Sequence, residues 1–129
     1  MLSNINADKD QLIQIILVGQ PELRELLESP TLVQFVQRIS SDFNLAALDP
    51  DEVYDYVRHR VERAGGNSDL FSRQACRLAA DASKGVPRTI NMLCDTALVY
   101  AFSAGARYVS SGLMATVIAD KKKYGLTFR

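Results

Sequence analysis

The sequence predicts a mainly α protein: a four-helix bundle, preceded by the last part of an α/β layer with about two strands and two short helices. Three observations predict it. From Asp49 onward, apolar residues recur every three or four positions in four blocks joined by short turns. Each block is bounded by residues that start or stop helices, among them Asp49-Pro50, Ser72, Pro87 and the glycines 65, 66 and 105. Ahead of them, Leu12, Ile13, Ile15, Ile16, Leu17 and Val18 form a nearly unbroken apolar run ended by Gly19, a composition that suits a strand buried on both faces of a parallel sheet. The change of pattern falls between Leu45 and Asp49 and divides the chain into domains at 1–46 and 47–129.

Taken in order, the 12–18 run is the first predicted strand, and a strand of that kind needs neighbours on either side. The stretch from Asp42 to Leu45 is the second candidate. Between them, Gln20-Pro21-Glu22 opens a short helix with proline at its first position and Leu23, Leu26 and Leu27 on one face. Ser29-Pro30 stops that helix and starts another, carrying Leu32, Val33, Phe35, Val36 and Ile39 and ending near Arg38.

The bundle follows. Asp49-Pro50-Asp51-Glu52 combines a capping aspartate, a first-turn proline and a glutamate at the capping-box position. Val53, Val57, Val61 and Ala64 then repeat at helical spacing up to Gly65-Gly66. Ser72 caps a helix whose apolar face is Ala75, Leu78, Ala79 and Ala82. Pro87 opens one carrying Ile90, Leu93, Cys94, Ala97, Leu98 and Ala101. A last helix from about Ser111 holds Leu113, Met114, Val117 and Ile118 and is expected to fray at Lys121-Lys122-Lys123.

Bulk composition excludes several classes. Lys+Arg and Asp+Glu balance at 15 each, which removes any global electrostatic reason for a nucleic-acid or anionic-membrane partner. No apolar run approaches ~18 residues, and the opening Met1-Leu2-Ser3-Asn4 has neither a basic nor an apolar leader region. Cys76 and Cys94 lack the close spacing of a zinc or redox motif and read as buried thiols in a reducing compartment. The expected location is cytoplasmic, with no metal site and no membrane segment.

The most informative stretch is Gly85-Val86-Pro87-Arg88-Thr89-Ile90-Asn91. Gly85 permits a sharp turn and Pro87 suits a first helical position, so Arg88 falls at a helix N-terminus, where backbone amides and the dipole already favour an anion. An arginine there would add a bidentate phosphate ligand; it could equally be a surface arginine after an ordinary turn. Gln20 directly follows the predicted strand, and ligands of open parallel sheets bind beyond strand carboxyl ends, yet Gln20 also fits as the cap of the Pro21 helix. Arg38 sits where a helix gives way to the second predicted strand, available either to a neighbouring subunit's nucleotide or simply to the helix dipole. His59, between Arg58 and Arg60 without a carboxylate or cysteine at useful spacing, reads as a solvated residue. No G-x-x-x-x-G-K-[ST] loop is present, nor an apolar strand ending in Asp-Glu, nor a Ser/His/Asp or Cys/His arrangement.

Together the pieces resemble the carboxyl half of the AAA+ ATPase module in the general secretion pathway protein A (ExeA-like) family, from about Leu2 to Ala119. The words that carry the resemblance are Leu2-Ser3-Asn4, Gln14 to Leu23, Gln37-Arg38-Ile39, Leu45 with Leu48-Asp49, and Tyr56-Val57-Arg58-His59-Arg60. Ala64-Gly65-Gly66, Leu70-Phe71, Gly85 to Asn91 and Leu93-Cys94-Asp95 complete them. The resemblance implies that residues 1–46 are the end of an AAA+ P-loop core and 47–129 its lid. It implies that Gln20 is sensor 1, Arg38 the arginine finger and Arg88 sensor 2, with Pro87 and Gly85 forming the nucleotide-side turn. ATP and Mg²⁺ serve the complete module. The phosphate-binding loop and magnesium-binding strand lie upstream in the family, so this chain is expected to be a partial module that binds none and hydrolyses nothing alone.

The implied partners are a second copy or the missing amino half, together with secretion-system proteins. Lys84 departs from the glycine the family often carries there. Two other readings remain: a stand-alone helical interaction module, and an accessory ATPase of polysaccharide export or of DNA transposition, the last disfavoured by the neutral charge.

Overall fold

The computed structural model describes residues 13–125. Leu2-Ser3-Asn4 and Leu12, named above, lie outside them. The chain divides at Asn44–Leu45 into two compact units.

In the first unit, α1 (Pro21–Leu27) and α2 (Val33–Val36) are joined by a 3-10 turn at Pro30–Leu32. Both proline-initiated starts follow the sequence, since a missing amide costs nothing at a first helical position. Among the described residues, the two expected strands do not form. Residues 13–20 and 39–49 carry no strand pairing among the described residues. The physical reason is that strand geometry is stabilised by a neighbour's ladder of hydrogen bonds, and no described residue supplies one to either run. None of the described residues of this unit is buried. Its ion pairs, Arg24–Glu28 at 3.6 Å and Arg24–Asp42 at 4.0 Å, are exposed and add little.

The second unit is the expected set of four helices: α3 (Pro50–Arg63), α4 (Arg73–Ser83), α5 (Pro87–Ser103) and α6 (Ser111–Tyr124). Asp49 caps α3 through a reciprocal box, its Oδ1 accepting from the Glu52 amide at 2.8 Å while Glu52 Oε2 accepts from the Asp49 amide at 2.9 Å. Ser72 caps α4 by accepting from the Ala75 amide at 3.1 Å. Ser110, one residue before the expected start, caps α6. The three lysines do not fray. They form the last turn of α6, where positive charge complements the helix dipole.

The core is built mostly from small and β-branched residues: Val53 and Val57 of α3, Ala75, Cys76, Ala79 and Ala80 of α4, Ile90, Leu93, Ala97 and Ala101 of α5, and Met114 and Val117 of α6. The connections close the remaining sides. Phe71 and Val109, both buried, are held by Val109 N–H donating to Leu70 O at 2.7 Å and Ser72 N–H donating to Val109 O at 3.0 Å.

Candidate functional site

The turn between α4 and α5 is set by backbone geometry. α4 ends on Lys84 in the left-handed region at φ 53, and Gly85 follows at φ +74. A β-carbon on Gly85 would stand 2.0 Å from the carbonyl oxygen of Leu48, so only glycine fits. Leu48 N–H in turn donates to Gly85 O at 2.9 Å, tying the segment before α3 to the start of α5. Inside the turn, the buried Ser83 hydroxyl donates to Ala80 O and accepts from the Gly85 amide, both at 3.2 Å.

This anchoring fixes the α5 N-terminus. Val86 occupies the cap position without a side-chain cap bond, and Pro87 follows as the first helical residue. Arg88 is the second, exposed, and its side chain has no hydrogen bond or ion pair to any described residue. The first turn therefore offers uncapped amides, the positive end of a 17-residue helix and a solvent-facing guanidinium side by side. Oxygens of a phosphate match that donor set in charge and in hydrogen-bonding sense.

Gln20 and Arg38 belong to the first unit. Gln20 is the N-cap residue of α1 and exposed; its backbone carbonyl accepts from the Leu23 amide at 2.9 Å, but its side chain makes no cap bond. Arg38 is exposed in the turn after α2, its amide donating to Phe35 O at 3.1 Å. Gly85, Pro87 and Arg88 are thus brought together by one turn, whereas Gln20 and Arg38 are positioned by separate elements of the other unit. His59 is exposed. Among the described residues, no group of three or more His, Cys, Asp or Glu side chains could hold a metal ion, and no helix is long and apolar enough to cross a membrane.

A feature that sequence reasoning did not find is a groove of about 330 Å³ between α3 and α5. Val57, Val61, Phe71, Ile90 and Cys94 line it, with Arg60 and Asp95 among its polar residues. Tyr56 Oη donates to Asn91 Oδ1 across the two helices at 2.8 Å. Burial pushes the Cys94 thiol up to about 12, helped by nearby Cys76 and Asp95, and burial raises Cys76 to about 11. Both are therefore inert thiols at neutral pH.

The chain is 38% identical over 112 residues to general secretion pathway protein A of Aeromonas hydrophila. The match takes in 87% of this chain and 20% of that protein, so the chain spans about one fifth of its relative's length. No family model and no solved structure matches. The similarity is to the same protein family that the sequence words indicated.

Proposed function

We propose that this chain, similar along 87% of its length to general secretion pathway protein A, is the carboxyl half of an AAA+ ATPase module with the α3–α6 bundle as its lid. The observation that carries the reading is the α5 N-terminus: an exposed arginine beside uncapped amides, held by a glycine turn that tolerates no other residue. That donor set suits a nucleotide phosphate in the arginine's own subunit, the sensor 2 role of Arg88. Gln20 serves as sensor 1, orienting water or sensing the γ-phosphate. Arg38 is the finger that reaches the nucleotide of an adjacent subunit.

ATP, when bound with Mg²⁺, supplies the phosphoryl group that passes to water. The residues of this chain hold the terminal phosphate and sense its loss; they do not themselves cradle the β-phosphate or ligate the metal. Hydrolysis therefore requires the amino half of the module, and its output is coupled to assembly of a secretion apparatus from the cytoplasmic side.

The test is ATP binding and turnover by this chain, alone and mixed with a polypeptide carrying the amino half. The expected result is an inert chain, an active mixture, and loss of activity in mixtures made with Arg38→Ala or Arg88→Ala. Turnover by the chain alone, with contamination excluded, refutes the assignment. A folded but silent mixture favours the second reading, a helical interaction module, for which the α3–α5 groove is the supporting feature.

A further inference from the structure

Tyr54 of α3 packs half-buried against the bundle core and carries two guanidinium groups on its ring. Arg58, one turn later on α3, has its guanidinium carbon 5.4 Å from the ring centroid, and that of Arg73, the first residue of α4, lies 4.7 Å from it. Two positive charges thus share one aromatic plate. Arg73 is exposed and meets the Asp51 carboxylate at 3.5 Å. Arg58 is half-buried, and its Nε is closed to solvent with no hydrogen bond to any described residue. Asp55 and Glu62, its acidic neighbours along α3, form no ion pair with it. Water therefore hydrates the Arg58 charge from its Nη edge alone, so an anion at that edge gains more than at a fully solvated arginine. The first turn of α4 holds no acidic residue, and its dipole adds to the positive field around Arg73.

We propose that Tyr54, Arg58 and Arg73 form a docking site for an acidic segment of a protein partner, with its carboxylates on the two guanidinium groups. Two observations select that occupant. The site already seats a carboxylate, that of Asp51, which is 90% exposed and held by a single 3.5 Å contact, so an incoming carboxylate displaces it at little cost. The chain as a whole carries 15 basic and 15 acidic residues, so the patch lacks the extended positive field that nucleic acid or an anionic membrane requires, while a short acidic segment matches its size. Arginine and tyrosine are also the side chains that most often anchor protein interfaces. The site uses none of Gln20, Arg38 and Arg88 and is independent of the nucleotide reading.

The test is fluorescence anisotropy of a labelled glutamate-serine repeat peptide titrated with the full chain at low salt, beside the uncharged glutamine-serine peptide. The expected result is saturable binding of the acidic peptide alone. Arg58→Gln should weaken it about tenfold and Arg73→Gln about threefold, because a half-buried charge contributes more than an exposed one. Arg58→Lys, which keeps the charge but loses the planar fork, should recover only part of the affinity. Asp51→Asn removes the competing carboxylate and should tighten binding about twofold. Unchanged circular dichroism verifies that each variant keeps its helices. An acidic peptide that does not bind overturns the proposal. Binding that Arg58→Gln and Arg73→Gln leave unchanged also overturns it and assigns the peptide to another basic surface, such as Lys121–Lys123 of α6. Inorganic phosphate, a single-stranded oligonucleotide or phosphatidylserine vesicles that engage the same arginines more tightly than the peptide overturn it in favour of a phosphate-bearing ligand.

Discussion

Replacing Gly85 by alanine tests the turn on which the candidate site depends. Two separate costs arise. The left-handed φ of +74 costs an alanine about 1–2 kcal/mol. The added β-carbon would lie 2.0 Å from Leu48 O and 2.9 Å from Leu48 C and N, all backbone atoms, so the segment before α3 must move. Overpacking of that kind costs roughly 1–3 kcal/mol. Movement also lengthens the 2.9 Å bond from Leu48 N–H to Gly85 O, a further loss of about 1 kcal/mol. The total is about 3–6 kcal/mol, a large share of the stability of a small domain. Urea unfolding followed by helix circular dichroism measures it as a fall in midpoint at constant slope. Gly105→Ala is the internal control: its φ is +65, but a β-carbon there meets nothing within 4 Å, so only the backbone cost of about 1–2 kcal/mol applies. Equal losses for Gly85→Ala and Gly105→Ala would refute the claim that the Leu48 contact fixes the turn.

Three other outcomes are expected. Lys84→Gly relieves the left-handed residue at the end of α4 and should raise stability by about 0.5–1 kcal/mol, read as a higher urea midpoint. Asp49→Ala removes one half of the α3 capping box and should cost about 1 kcal/mol in the same assay, with Asp49→Ser recovering most of it. The third concerns pH. Folding raises Cys76 from 9.0 to about 11 and Cys94 from 9.0 to about 12 by holding the thiols neutral. Above about pH 9 the unfolded chain loses those protons while the folded chain keeps them, so stability is full below pH 9. It then falls by about 1.4 kcal/mol per pH unit and per thiol up to the folded values. Cys76→Ala should remove one share of that alkaline slope; an unchanged slope would show that the thiols do not cause it.

The four bundle helices were legible because their signals are local. Asp49 with Glu52 and Ser72 before Ala75 are self-contained capping arrangements, and Pro50 and Pro87 fix first turns whatever the rest of the chain does. Gly85 was legible for the same reason, since a turn into Pro87 requires a residue free to take positive φ. The words from Leu2-Ser3-Asn4 to Leu93-Cys94-Asp95 together indicated the protein family, because their order in the chain carries that likeness without any packing.

Pairing and the exact extent of burial were not legible. The Ile13–Val18 composition described a strand, but a strand exists only when another supplies its hydrogen bonds, and none among the described residues does. Helical periodicity likewise placed Ala64 and Leu98 with the core, although both are exposed, and missed Ala80, which is buried. The period fixes which residues share a face, whereas the width of the buried stripe depends on where the neighbouring helices cross. The Leu48 contact that makes Gly85 irreplaceable joins segments 37 positions apart, and the α3–α5 groove exists only between two helices once they are packed. Sequence alone determined the helices, their caps and the family likeness, because each is encoded within a few neighbouring residues. Tertiary structure decided the depth of the core, the locked turn beneath Arg88 and the groove between α3 and α5, because each depends on chain segments meeting in space.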